Sequence, residues 1–163
     1  MSFDTIFIYG IHWHSFLLTL IDGSNFYFKL RDLQLHNLLN FNCLSFTKSL
    51  IGSNTLLSAN YYVGAVRTDG TTKTQELFNN QRKLFAHLKS HQFRYSLGYL
   101  LRSDGKFHEK GVDVNIAVDL LVAAYENLAD TLFLVCPTPT CCRQLKKLRK
   151  KENRLSTLVF RTN

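Results

Sequence analysis

The stretch from Glu109 to Val135, EKGVDVNIAVDLLVAAYENLADTLFLV, constrains the fold of this chain more than any other. It reads as a loop, a helix from about Val112 to Asn127, and a strand from Thr131 to Val135. The apolar residues of the helix (Val112, Val114, Ile116, Val118, Leu120, Leu121, Val122 and the alanines between them) go nearly all the way round. That pattern predicts a helix sunk deep in a fold. The strand is a short apolar run of the kind found at the centre of a parallel sheet. Yet the helix carries Asp113 in its first turn and Asp119 further on. A carboxylate in so apolar a helix needs a partner: an N-terminal amide, a cation or a metal.

A second carboxylate signal lies far upstream. Ser15–Ile21 reads as a central strand that runs into Asp22-Gly23-Ser24-Asn25. A buried strand ending in Asp puts a carboxylate at the carboxyl end of a parallel sheet, where open α/β folds build their sites. Gly23 would permit a tight turn, and Ser24 or Asn25 could cap a following helix. The same string is also what a plain Asp-Gly turn with no chemistry looks like.

Between these signals, strand and helix alternate. Phe26 to Ile51 mixes helical patches with loop, Leu56–Val66 is a strand, and Thr74–Ser90 is an amphipathic helix with Leu77, Phe78, Leu84, Phe85 and Leu88 at helical spacing. Phe93–Leu101 is a further strand, and RSDGKFHEKG after it reads as a polar loop. Alternation of this kind predicts an α/β fold with a mostly parallel sheet of four to five strands. The 163 residues suffice for one domain with a core. Residues 1–14 fit the pattern poorly and read as an N-terminal extension. His12 and His14 flank Trp13 there, but with no third ligand nearby a surface pair outweighs a metal site.

The formal charge of +8 invites a nucleic-acid reading. Eight of the 20 Lys and Arg fall in residues 143–163 against one acid, so the basic character belongs to the tail. Such a run is more often a solvated face than a binding surface. Four cysteines, two of them adjacent at Cys141 and Cys142, make neither a secreted disulfide pattern nor a zinc knuckle. They read as reduced thiols in a cytoplasmic protein. The apolar run Phe16–Ile21 is too short to span a bilayer, and no membrane partner is expected.

Taken together in order and spacing, IDGSNFYFKL and EKGVDVNIAVDLLVAAYENLADTLFLV resemble the NYN domain of the LabA/DUF88 kind, within the PIN-like superfamily. The resemblance covers residues 15–135. It implies a compact Rossmann-like, three-layer fold and a cluster of acids at the carboxyl ends of the strands. It also implies Mg²⁺ or Mn²⁺ and hydrolysis of RNA phosphodiesters, with single-stranded RNA as partner and a homodimer as a compatible assembly. Asp22 matches the family's first acid, with Asn25 beside it as a supporting ligand. Asp113, in KGVDV, matches the mid-chain acid, and Asp119 the second Asp of that helix. At ~100° per residue these two point about 120° apart, so the metal is assigned to Asp22 and Asp113, and Asp119 keeps a less defined catalytic role. Ser24, Asn25 and Lys110 are the substrate-binding candidates. Carboxylates suit such a metal because it prefers oxygen ligands, lowers the pKa of a bound water and offsets charge on the phosphate. A helix-cap role for Asp113 without metal is the alternative for that residue.

The resemblance lapses after Val135. The family continues with Asp-x-Asp and a helix, whereas this chain reads CPTPTCCRQLKKLRKK with no acid before Glu152. Codons compatible with that string, read one nucleotide out of phase, can encode SDTDLLPAIKKAKKKGKPVEYVGF, which restores the missing motif. Residues 136–163 are therefore read as an atypical basic tail produced by a shifted frame. Without its last acids the chain is expected to hold metal weakly or not at all, as a nuclease that is impaired or inactive in this form. The competing function is a non-catalytic RNA- or protein-binding module. A phosphatase ranks below both, because DGSN lacks the paired Asp of a DxD nucleophile.

Overall fold

A computed structural model describes residues 16–36, 38–103, 106–136 and 155–158 of the chain. The sheet has six strands: β1 (Phe16–Asp22), β2 (Thr55–Ala65), β3 (Arg94–Ser103), β4 (Lys106–Lys110), β5 (Thr131–Val135) and β6 (Leu155–Leu158). Their order is β4-β3-β2-β1-β5-β6. All pair in parallel except β4, which is antiparallel to β3. Four of the five parallel strands fall where the sequence placed them, the fifth, β6, lies in the region read as an atypical tail, and β4 falls where a polar loop was predicted. KFHEK has no apolar run to announce a strand, and Lys110 suits the edge position that β4 occupies, where charge discourages further pairing.

Among the described residues four α-helices cover the sheet: α1 (Gly23–Asp32), α2 (Cys43–Ile51), α3 (Thr72–Ser90) and α4 (Val112–Tyr125). Alternation along the strands decides which side chain meets which layer. Leu18, Leu20, Tyr62, Leu132 and Leu134 face α4, where Val112, Ile116, Leu120 and Ala123 close over them. Ile21, Ala59, Tyr61 and Val135 face the other way and meet Phe26 and Leu30 of α1, Cys43 of α2 and Leu88 of α3. The fold is therefore three layers with a core on each side of β1, whose residues Leu17 to Asp22 are all buried. The start of β1 is tied to β5 by Asp130, which accepts from the Phe16 amide at 2.9 Å through its side chain and donates its own amide to the Phe16 carbonyl at 2.9 Å.

One expectation needs correction. Instead of being sunk on all sides, α4 buries one stripe, Val112, Ile116, Leu120 and Ala123, at spacings of four, four and three. Val114, Val118, Leu121, Val122 and Tyr125 are exposed, Tyr125 by 89%. The physical reason is that α4 lies on one face of the sheet, and among the described residues no second layer covers its outer side. Apolar composition alone does not tell a helix with two partners from a helix with one. His12, His14, Cys141, Cys142 and most of the basic tail lie outside the described residues. Cys43 and Cys136 are both buried, and burial pushes the Cys43 thiol up to about 12. No described helix is long and apolar enough to cross a membrane.

Candidate active site at the carboxyl end of the sheet

From β1 the chain winds in one direction through β2 to β3, with α1, α2 and α3 on one face. It then crosses back over the other face through α4 to β5 on the opposite side of β1. The two directions part at β1, which makes its carboxyl end a topological switch point, the place where an open α/β sheet leaves a crevice. Asp22 is the last residue of β1, and Cys136 follows the last residue of β5. The Cys136 thiol donates weakly to Asp22 Oδ2 at 3.7 Å.

Asp22 is only 5% exposed. Its Oδ1 accepts from the Asn25 amide at 3.2 Å, which makes it the N-cap of α1, and its Oδ2 accepts from Asn25 Nδ2 at 2.7 Å. A capping role and a site role thus share one carboxylate. Gly23 does not serve as a turn glycine with positive φ. It is required because a Cβ there would run into the Tyr61 ring, whose hydroxyl donates to the Gly23 carbonyl at 3.2 Å.

A second carboxylate, Glu109, reaches the same first turn of α1, and the sequence analysis gave it no role. Strand β1 stops opposite Tyr62, while β2 runs on to Ala65, so the peptide groups of Gly64 have lost their partner on that side. Side chains replace it, as buried backbone groups demand. Glu109 Oε2 accepts from Gly64 N at 2.7 Å, and Gln81 donates from Nε2 to the Gly64 carbonyl at 2.8 Å. The same Glu109 oxygen accepts a short hydrogen bond from Ser24 Oγ, in the first turn of α1. Tyr61 lies close enough to feel both carboxylates. Burial raises its phenol pKa most, and the charges of Cys43, Asp22 and Glu109 add to that.

What aims Glu109 is the return of the β3–β4 hairpin. Strand β4 comes back until Lys110 pairs with Tyr99, then Gly111, at φ 83°, turns the chain into α4. Gly98 leaves room for that turn, since a Cβ on it would sit 2.6 Å from the Lys110 carbonyl oxygen and 2.6 Å from Val112 Cγ2. Asp113 then falls in the first exposed turn of α4, and Lys110 is exposed on β4. Among the described residues no hydrogen bond joins Asp113 to Asp22 or Glu109. Asp119 is half-buried further along α4, and its Oδ2 accepts from the hydroxyl of the fully buried Tyr62 at 2.6 Å. That hydroxyl also accepts from Asn60 Nδ2 at 3.3 Å, so Tyr62 leans back toward the start of β2, away from the end where Asp22 lies. The structure thus brings Asp22, Ser24 and Asn25 together, adds Glu109, and gives Asp119 a partner of its own.

A third acid near this edge has a different task. Asp69, in the loop after β2, accepts from the Thr71 and Thr74 hydroxyls at 2.8 and 2.6 Å. Those bonds and the Thr71 amide hold its carboxyl down at about 2, and with Thr71 as N-cap they fix the start of α3.

The donors around Asp22 suit a hard divalent cation in kind. The carboxylates offer oxygen atoms, and among the described residues their hydrogen-bond donors are all neutral: two backbone amides, a carboxamide, a hydroxyl and a thiol. A buried carboxylate surrounded in that way is the group that a cation would complete. Among the described residues no group of three or more His, Cys, Asp or Glu is placed to hold a metal ion.

Comparison with known proteins agrees with the fold. The NYN domain family matches residues 17–161, a span that runs past Val135 and includes β6. The crystal structure of a protein of unknown function from Vibrio parahaemolyticus superposes with a TM-score of 0.62 at 21% identity, covering 96% of this chain and 83% of that one. At that identity the likeness concerns the fold. No curated protein matches the chain.

Proposed function

Because the chain belongs to the NYN domain family, we propose that it is a metal-dependent RNA nuclease whose reaction centres on Asp22. The observation that carries this reading is the buried Asp22 carboxylate at the switch point of the sheet, with Glu109 beside it and neutral donors around both. Asp22 and Asp113 would hold Mg²⁺ or Mn²⁺, with Asn25 as a supporting oxygen ligand and the Glu109 charge adding to the attraction. When bound, the metal supplies an activated water and offsets charge on the phosphate. Ser24 holds Glu109 in place through its hydroxyl. Asn25 fixes the rotamer of Asp22 from two sides, through its amide and its side chain. Lys110, exposed on β4, would meet a phosphate oxygen. Asp119 acts on this site only through α4, by anchoring the helix to Tyr62.

The test is cleavage of an end-labelled single-stranded RNA with Mg²⁺ or Mn²⁺ and with a chelator. Cleavage that the chelator stops and that Asp22→Asn and Asp113→Asn abolish is the expected result. Cleavage that survives Asp22→Asn overturns the assignment. A second reading, an RNA-binding module without catalysis, draws on the fact that both Asp22 oxygens already carry hydrogen bonds. Tight RNA binding with no cleavage under any metal, unchanged by Asp22→Asn, would establish it.

A further inference from the structure

We propose that the outer face of α1 is a stacking platform for single-stranded RNA that leads out of the Asp22 site. The identity of the polymer rests on the nuclease reading above; the platform itself rests on α1. Ser24, Tyr27, Phe28 and Arg31 stand at i, i+3, i+4 and i+7, which puts them on one stripe of the helix. The opposite stripe, with Phe26 and Leu30, is buried against β1, β2 and the surrounding helices. The outer stripe begins inside the candidate site, because Ser24 donates to Glu109. It ends in solvent, with Tyr27 41% and Phe28 51% exposed.

The two rings form a unit. Their centroids are 5.8 Å apart in an edge-to-face arrangement, and the Arg31 guanidinium lies 5.0 Å above the Phe28 ring. Neither ring is needed to cover the core, which Phe26 and Leu30 already do. Exposed rings paired with a cation are what an unpaired nucleotide recognises: the ring takes the base by stacking and the guanidinium takes the next phosphate. Dimensions agree. With ~1.5 Å of rise per residue, Phe28 is about 6 Å and Arg31 about 10 Å along the axis from Ser24. A strand whose phosphate sits at Asp22 and Ser24 therefore lays its next bases over Tyr27 and Phe28. One acid, Asp32, adjoins the stripe at its far end and limits how far a polyanion follows it. Duplex RNA keeps its bases stacked on one another, so the platform selects unpaired strands.

The test reads binding in the presence of chelator, so that cleavage plays no part. The probes are a fluorescein-labelled decauridylate and an abasic ribose-phosphate oligomer of equal length, followed by anisotropy at fixed salt. Losing one good stack corresponds to about tenfold, so the Tyr27→Ala/Phe28→Ala double variant should bind decauridylate at least about tenfold more weakly. On the abasic oligomer the same variant should change affinity by less than about twofold, since nothing there can stack. Phe28→Trp should restore binding, and Arg31→Ala should weaken both probes and flatten the salt dependence. A far-UV spectrum and melting curve like those of the wild type show that the double variant is folded. Decauridylate binding unaffected by the double variant overturns the proposal, as does an equal loss on the abasic probe or no RNA binding by the wild type. Self-association that the double variant abolishes while RNA binding stays unchanged also overturns it. The two readings fail separately: a protein that stacks RNA but never cleaves it refutes the nuclease alone. One that cleaves RNA regardless of Tyr27 and Phe28 refutes the platform alone.

Discussion

Glu109→Ala is the perturbation that best tests how the site is built. One oxygen of Glu109 accepts from both Ser24 Oγ and Gly64 N, so the substitution orphans a hydroxyl and a backbone amide together. Hydrogen bonds to a charged acceptor contribute about 1.5–3 kcal/mol each, which for two would reach about 3–6 kcal/mol in a dry interior. Glu109 is half-buried, so water reaches the freed groups and exposed-charge contributions shrink. The expected loss is therefore about 1.5–2 kcal/mol. For a chain of this size that lowers the melting temperature by roughly 3–8 °C. Urea denaturation of the wild type, Glu109→Ala, Ser24→Ala and the double variant reads it directly, with a coupling of about 1 kcal/mol expected between the two positions. Glu109→Gln keeps an oxygen that can accept, so it should cost about half as much while weakening Mn²⁺ binding, because the charge is gone. A Glu109→Ala variant within about 0.5 kcal/mol of wild type, or strict additivity with Ser24→Ala, would refute the bridge between β2, β4 and α1.

Alkali should unfold the protein from the inside. Cys43, Tyr61 and Tyr62 are neutral when protonated, and burial, joined at Tyr62 by its bond to Asp119, holds the proton on in the folded state. The unfolded chain releases those protons first, so the stabilisation is complete below pH ~8.5 and is lost above it, from near pH 9 for Cys43 and near pH 10 for the tyrosines. Each contributes up to about 1.4 kcal/mol per pH unit, and Cys43→Ala should remove the part that begins near pH 9; a stability flat to pH ~11 sinks the prediction. On α4, Ile116→Ala should cost about 2–5 kcal/mol and Val118→Ala less than about 0.5, in the same denaturation assay; equal costs would mean that both faces are buried. Thr19 is fully buried in β1, and among the described residues its hydroxyl has no hydrogen-bond partner. Thr19→Val should therefore stabilise by about 0.5–1 kcal/mol, and a loss of stability would reveal a hidden partner. Sequencing the gene across Val135–Arg143 should show a frame that, shifted by one nucleotide, restores Asp-x-Asp; codons that forbid this reading in independent clones remove the frameshift.

The parts of the fold that the sequence made legible are those where one physical demand dominates. A continuous apolar run has only the centre of a sheet to go to, and β1 and β5 lie there. The 3.6-residue spacing of Leu84, Phe85 and Leu88 marked α3 to within two residues of its ends. Asp22 was legible because an apolar strand that runs into Asp-Gly-Ser-Asn must end at the sheet edge with its carboxylate there. Glu109 was not, because nothing local distinguishes one Glu in a polar stretch. Its place is set by the early end of β1, the overhang of β2 and the return of β4, none of which is local. The exposed side of α4 was illegible for a related reason: valine and leucine report preference for apolar surroundings, not the number of layers available to supply them.

These non-local constraints meet in five residues. Glu109 is pinned to α1 and β2, Gly111 turns the chain, Val112 seats against Gly98, and Asp113 opens α4. Only four positions separate Glu109 from Asp113, and both ends of that segment are anchored, one by hydrogen bonds and the other by packing. The start of α4, with Asp113, is thus held from two sides, by the Glu109 bonds before the turn and by the buried stripe that begins at Val112. A change that frees Glu109 removes the first of these anchors and is expected to loosen the turn at Gly111. Such a change should impair any metal held jointly by Asp22 and Asp113 even though it leaves both carboxylates intact. Ser24→Ala, which removes no charge and no proposed ligand, should for that reason weaken Mn²⁺ binding, and unaltered binding in that variant would show that the two acids are positioned independently.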